Sequence, residues 1–147
     1  MQKFIGGMGC FWDETKYEGI PGVTSTECGY CGGKNQAVNY EQVCDGNTEH
    51  VEVVKVEFDP KIISYEEVTK LFFKFHDPTA LNRQGPNVGY QYRSEIFYNT
   101  DEEKNIAEKI LNEVNIKLDG KVITKISKIK NYVRAENYHQ NYFKKNY

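Results

Sequence analysis

Val51-Glu52-Val53-Val54-Lys55-Val56-Glu57-Phe58, then Asp59-Pro60, then Ser64-Tyr65-Glu66-Glu67-Val68-Thr69-Lys70-Leu71-Phe72-Phe73-Lys74-Phe75-His76, reads as a strand and a helix separated by a short turn. The first run is rich in β-branched valine, which packs well on a pleated surface, and Asp59-Pro60 stops it. Ser64 with Glu67 makes a capping box, and Val68, Leu71, Phe72 and Phe75 repeat at the helical period up to His76. Upstream, Val23 to Tyr30 is a second strand that ends in the breakers Gly29, Gly32 and Gly33. Before it, Lys3 to Gly6 is a short apolar entry, and Asp13 to Gly19 is a helix closed by Gly19 and Pro21. Lys34 to Thr48 is mostly loop, with one helical turn around Tyr40 to Val43.

Downstream, Asp77 to Tyr90 is a Gly/Pro/Asn loop, Ser94 to Tyr98 a strand, and Thr100 caps a helix running to about Asn115. Val122 to Ile129 is a further strand, and Tyr132 to Tyr147 is aromatic and polar without periodicity. The order β-α-β-β-α-β-α-β predicts an α+β fold: a ferredoxin-like two-layer sandwich with a mixed sheet and a long irregular C-terminal segment. In a βαβ unit the two strands run parallel. The end of the first, at Cys10, and the end of the second, at Cys28 to Cys31, are therefore expected on one edge of the sheet.

A chain of 147 residues fits one domain, 1–147, large enough to bury a core without staples. A net charge of −2 gives no electrostatic reason to expect nucleic acid or an anionic membrane as a partner. No apolar run is long enough to span a bilayer, and the first residues lack a signal-peptide core, so a cytoplasmic monomer is expected. Four cysteines, at 10, 28, 31 and 44, crowd the first third of the chain. In a cytoplasmic protein with an adequate core, such a cluster signals catalysis or metal more often than a disulfide framework.

Gly7-Met8-Gly9-Cys10-Phe11-Trp12 sets a cysteine between a glycine-rich turn and a helix start. Free N–H groups at a helix start favour thiolate over thiol and lower a cysteine pKa. A buried, inert cysteine is the competing reading of that position.

Longer motifs bear on the choice. Gly9-Cys10-Phe11-Trp12-Asp13-Glu14 resembles the glycine-cysteine-phenylalanine-tryptophan signature of the A-type methionine sulfoxide reductases. Further stretches resemble that family in order: Gly29-Tyr30-Cys31-Gly32-Gly33, Tyr40-Glu41-Gln42-Val43-Cys44-Asp45-Gly46, His50-Val51-Glu52-Val53 and Phe58-Asp59-Pro60. His76-Asp77-Pro78-Thr79, Arg83-Gln84-Gly85, Gly89-Tyr90-Gln91-Tyr92-Arg93-Ser94 and Ala135-Glu136-Asn137-Tyr138-His139-Gln140 continue it over nearly the whole chain.

The resemblance implies reduction of methionine sulfoxide, the S epimer, free or in proteins, as a repair of oxidised proteins. Cys10 would be the nucleophile and Glu52 the acid, its pKa raised by a valine-rich strand. Phe11 and Trp12 would receive the S-methyl group, and Tyr40 and Tyr92 would hold the sulfoxide oxygen. Read without the family, Phe11 and Trp12 are core and Glu52 is the solvent face of a strand. Cys10 would be left as a sulfenic acid, cleared by an external thiol reductant such as thioredoxin or glutaredoxin, with no bound cofactor and no metal.

Three departures from the family pattern matter. The pattern has two residues between the tryptophan and its glutamate, and here only Asp13 stands between them. Asn87 stands where the family commonly has a substrate-binding aspartate, keeping an acceptor but losing the charge. Many relatives carry a recycling cysteine in a tail beyond the point where this sequence stops, at Lys145-Asn146-Tyr147. The resolving candidates are then Cys28, near the end of the second strand, and Cys31, expected in the flexible glycine-rich loop after it, with Cys44 read as core. A structural zinc module using Cys28, Cys31, Cys44 and His50 is the alternative outside catalysis, since C-x-x-C is one half of a zinc site. A thioredoxin-like use of Cys28 and Cys31 is disfavoured because Gly32-Gly33, not a helix, follows them. A non-catalytic binder of oxidised peptides would require an inert Cys10.

Overall fold

The computed structural model describes residues 2–7, 14–32, 50–84, 87–88 and 92–134. Its main sheet is built from β1 (Gln2–Gly7), β2 (Val23–Cys31), β3 (Val51–Phe58), β6 (Glu95–Tyr98), β7 (Lys125–Lys128) and β8 (Val133–Arg134). The spatial order is β7-β6-β1-β3-β2-β8. The short strands β4 (Arg83–Gln84) and β5 (Asn87–Val88) pair as a separate hairpin inside the stretch expected to be loop. Three helices, α1 (Glu14–Tyr17), α2 (Tyr65–Phe75) and α3 (Asp101–Lys117), complete the described elements.

β3 lies between β1 and β2 and is antiparallel to both. The two outer strands are therefore parallel to each other with a third inserted between them, the split βαβ arrangement. Gly7 and Gly29 both face Val53, so β1 and β2 finish at the same end of the sheet, as the order of elements predicted. β6 joins β1 antiparallel, and β7 joins β6 parallel, which makes the sheet mixed. A parallel pair needs a long crossover, and α3 supplies it.

Alternation along β3 separates two cores. Val54, Val56 and Phe58 face the helices and pack with Phe4, Tyr65, Val68, Phe72 and Ile96. Val51 and Val53 face the other way and pack with Ile5, Cys31 and Phe97. Ser64 caps α2 as read: its side chain accepts the Glu67 N–H, and its hydroxyl donates to the Glu67 carboxylate at 3.2 Å. Thr100 likewise caps α3 by accepting the Glu103 N–H. α2 lies so close to β1 that a Cβ at Gly6 would stand 2.7 Å from the Phe72 ring.

Ile129 to Tyr132 was expected to lead into irregular chain. Instead this segment covers the second core and leads into β8, which pairs Arg134 with Gly29 and Val133 with Tyr30. Cys31 donates to the Lys130 carbonyl at 3.4 Å, and the Gly32 N–H donates to the same oxygen at 2.8 Å. The Tyr132 hydroxyl donates to Glu27, which also pairs with Lys55 at 3.0 Å, and the Lys55 ammonium sits 5.1 Å from the Tyr132 ring centre. At the far end of β2 the register slips between Val23 and Ser25, a bulge beside which Thr24 donates to the Glu57 carbonyl. The helical turn read around Tyr40 and the segment beyond 134 lie outside the described residues.

The contact at Gly6 yields a test of the fold. Gly6→Ala must push Phe72 off β1, and overpacking of this kind costs about 1–3 kcal/mol. The urea midpoint of the variant should fall with unchanged m-value; an unaltered midpoint would show that α2 does not rest on β1.

Candidate active site

The end of the sheet where β1 and β2 finish gathers the chemistry. Glu95, Gly7, Val53 and Gly29 form one row across β6, β1, β3 and β2. One residue further on stand Ser94, Glu52 and Tyr30, with Tyr30 the direct partner of Glu52. Glu52 shares the parity of Val54 and Val56, so its carboxyl lies on the helix-covered face, not the solvent face. Tyr92 precedes Ser94 by two residues and is buried, as are His50 and Tyr30. Asn87 begins β5, with its backbone paired to Gln84. Cys10, Phe11, Trp12, Tyr40 and Cys44 lie outside the described residues, and the flanks of the first three are Gly7, in that row, and Glu14, at the start of α1.

Glu52 is only 3% exposed, and burial pushes its pKa up to about 8 from an ordinary 4.5. Removing water penalises the charged form, so the carboxyl holds its proton at neutral pH and can donate it. β3 is a central strand valine-rich on both sides of this position, which is the cause of the burial.

Beside it, the C-terminal corner of α2 ties the neighbouring segments together. The His76 ring lies 2.6 Å from the Phe72 carbonyl through Nδ1 and 2.7 Å from Ser94 Oγ through Nε2. A carbonyl can only accept, so Nδ1 carries the proton and Nε2 accepts from Ser94. Ser94 Oγ in turn accepts from the Thr124 hydroxyl at 2.7 Å. Burial lowers the His76 pKa to about 4, with the neighbouring Lys16 adding to the shift and Asp77 opposing it, which keeps the ring neutral. Lys16 of α1 donates to the Phe75 carbonyl at 2.6 Å, the edge of Tyr17 meets the Phe75 ring at 5.0 Å, and the Tyr17 hydroxyl donates to the Val68 carbonyl at 3.3 Å. On the opposite face, Arg93 and Glu95 form a buried ion pair at 2.7 Å, and Glu95 also accepts from Ser127 at 2.6 Å. The sequence reading assigned no role to His76, Ser94, Thr124 or the Arg93–Glu95 pair. His76, Arg93 and Ser94 were signalled only by position within the motifs His76-Asp77-Pro78-Thr79 and Tyr92-Arg93-Ser94, and Glu95 and Thr124 by nothing local.

Cys28 and Cys31 require a correction. Cys28 lies inside β2 as read, Cys31 is the last residue of β2 where a loop was expected, and both are 0% exposed. Residues three apart on a strand point to opposite faces, with Cα atoms about 10 Å apart. Cys28 faces Val54 across the helix-covered side, and Cys31 packs with Val51 and Phe97 on the other. A disulfide needs Cα atoms within about 7 Å, so the two cannot bridge in this arrangement. Two sulfurs on opposite faces cannot both reach one ion at about 2.3 Å, which removes the zinc reading. Burial also pushes the Cys31 thiol up to about 11 from 9.0, leaving almost no thiolate at neutral pH.

Comparison with known proteins agrees with this geometry. A family model described as peptide methionine sulfoxide reductase matches residues 2–147. The chain is 56% identical over 146 residues to the peptide methionine sulfoxide reductase MsrA of Pelagibacter ubique, covering 99% of each. It superposes on reduced Mxr1 from Saccharomyces cerevisiae with a TM-score of 0.92 at 37% identity, covering 99% of this chain and 85% of that one. Mxr1 in complex with Trx2 matches with a TM-score of 0.66 at 27% identity, over 89% of this chain and 78% of that one.

The burial of Glu52 sets a pH dependence. Its pKa is higher folded than unfolded, so neutral Glu52 gives its full contribution below about 4.5, and that contribution is lost as pH rises towards 8. Glu52→Gln has no proton to lose. Chemical denaturation should show the variant gaining on the parent by a growing margin, a few kcal/mol in all, as pH increases through that window. A constant difference across it would mean that Glu52 is not held protonated.

Proposed function

The chain belongs to the peptide methionine sulfoxide reductase family and reduces methionine sulfoxide to methionine; we propose that Cys10 is its nucleophile and Glu52 its acid. The observation that carries this assignment is the burial of Glu52 at the sheet end where β1 finishes, which favours its protonated form. Cys10 follows Gly7 by three positions, with Met8 and Gly9 between them, a tether of at most about 11 Å.

The Cys10 thiolate attacks the sulfoxide sulfur while Glu52 gives its proton to the oxygen, which makes the sulfur electrophilic. The protonated oxygen then passes from the substrate sulfur to the Cys10 sulfur: the S–O bond of the substrate breaks, a Cys10 S–O bond forms, and the bond between the two sulfurs breaks with its electron pair returning to the methionine sulfur, which leaves Cys10 as a sulfenic acid. Tyr92 and Tyr40 hold the oxygen through their hydroxyls, Phe11 and Trp12 enclose the S-methyl group, and Asn87 supplies a polar contact to the substrate. A pocket that fixes methyl and oxygen on opposite walls accepts one epimer, here the S form. Free methionine sulfoxide and oxidised peptides and proteins share that group and are its substrates.

Regeneration consumes a thiol reductant. With Cys28 and Cys31 buried on opposite faces, an external thiol condenses with the sulfenic acid, releasing water and forming a mixed disulfide that a second thiol resolves. Thioredoxin is the dithiol we assign, supported by the complex of the yeast relative with Trx2. Thiol recycling suits a reducing compartment, and we place the protein in the cytoplasm. No helix among the described residues is long and apolar enough to cross a membrane.

Two tests follow. Cys10→Ser should abolish methionine release with the fold intact, and Glu52→Gln should lower turnover roughly 10²–10⁴-fold with far less change in substrate binding. Near-normal turnover in either would remove that residue from the mechanism. For recycling, Cys28→Ala and Cys31→Thr should match the parent in steady state with thioredoxin. A variant that turns over once and then stops would reinstate an internal resolving cysteine.

A further inference from the structure

We propose that Ser94, held between His76 and Thr124, is a positioning residue that sets the placement of Tyr92 for transition-state stabilisation. The inference rests on the reading of Tyr92 as a donor to the sulfoxide oxygen.

Tyr92 to Ser94 precede β6 and lie outside its ladder, so other interactions must hold them. One backbone bond, from Lys125 N–H to the Ser94 carbonyl at 3.2 Å, ties the stretch to the start of β7. The Ser94 side chain adds a bond in each direction: it donates to His76 Nε2 at 2.7 Å and accepts from Thr124 at 2.7 Å. The chain has a fixed sense, because Nδ1 of His76 is committed as donor to the Phe72 carbonyl at 2.6 Å. All three residues are largely removed from water, where a satisfied hydrogen-bond chain specifies one geometry.

The same corner of α2 grips the other half of the site. Lys16 donates to the Phe75 carbonyl, next to His76, and Tyr17 packs against Phe75. Lys16 and Tyr17 belong to α1, whose first residue follows Cys10 by four. One turn of helix, Phe72 to His76, thus links the element after the nucleophile to the segment carrying Tyr92. A donor aimed at a developing oxygen charge loses most of its worth when displaced by a fraction of an ångström, so a bond remote from the substrate controls rate through it.

The test compares Ser94→Ala, Ser94→Thr, Tyr92→Phe and the double variant Tyr92→Phe/Ser94→Ala. Ser94→Ala should lower kcat for sulfoxide reduction about 10–100-fold with KM changed far less. Ser94→Thr, which keeps the hydroxyl, should restore most of it. The rate of Cys10 alkylation by iodoacetamide, which needs no oxygen donor, should be the same in all four and in the parent. In the Tyr92→Phe background, Ser94→Ala should cost little more, because the donor that Ser94 places is gone. Independent, multiplying effects would overturn the proposal, as would unimpaired turnover of Ser94→Ala or an alkylation rate that falls with activity. Full activity of Tyr92→Phe alone would instead remove Tyr92 from the reaction, leaving the Cys10 and Glu52 variants to judge the rest of the mechanism.

Discussion

The antiparallel register that holds β3 between β1 and β2 sets Gly7, Val53 and Gly29 in a single row. Everything at the working end of the sheet follows from that row. It makes β1 and β2 finish together, and it makes β3 a central strand with neighbours on both sides and a core on each face. It also places Glu52, one step beyond Val53, under the helices. A carboxyl on an exposed strand edge would meet solvent and ionise at an ordinary pH, and one of the opposite parity would enter the other core beside Val51 and Val53. Register and acidity are here one property, because the side-chain period of a strand leaves no intermediate position.

Such a site draws on the stability of the rest of the molecule. A neutral carboxyl costs less to bury than a carboxylate, but the unfolded chain ionises freely at neutral pH, and the folded state must oppose that. His76 acts in the other direction: its lowered pKa means stability is lost as pH falls from 6.5 towards about 4. The two buried groups narrow the stable pH range from both sides. What opposes them is the aromatic layer between α2 and the sheet, where the Phe4 ring meets Tyr65 at 5.6 Å and Phe72 at 5.5 Å between centroids. That packing is dense enough that β1 needs a glycine beneath Phe72.

Much of this was legible in the amino acids. Valine-rich β3, the Ser64–Glu67 capping box and the Thr100 cap are local features, and local features survive into the fold. Glu52 was ambiguous from alternation alone, which favours a solvent face; the surrounding family motif gave the acid, and the central position of β3 explains its burial. The error over Cys28 and Cys31 has a physical origin. Glycines at 29, 32 and 33 read as breakers, yet Gly29 lies within β2, bonded on one side to β3 and on the other to β8. β8 comes from more than a hundred residues away, and no local signal announces such a partner. The His76–Ser94–Thr124 chain was hidden for the same reason, since its members are ordinary polar residues until the fold brings them together.

The strap from Ile129 to Arg134 has a consequence beyond covering Cys31. A sheet edge is a template for another chain, and β2 is a nine-residue strand on that side of the sheet. Among the described residues, β8 pairs with the stretch around Gly29 and Tyr30, which is buried next to the core. Further along β2, the bulge between Val23 and Ser25 twists the strand, and Thr24, Ser25 and Glu27 give it a polar outline. Tyr132, locked to Glu27 and Lys55, fastens the two-residue patch in place. The protein that repairs oxidised side chains thereby covers part of its own sheet edge, and loosening that one tyrosine would uncover backbone able to pair with another strand.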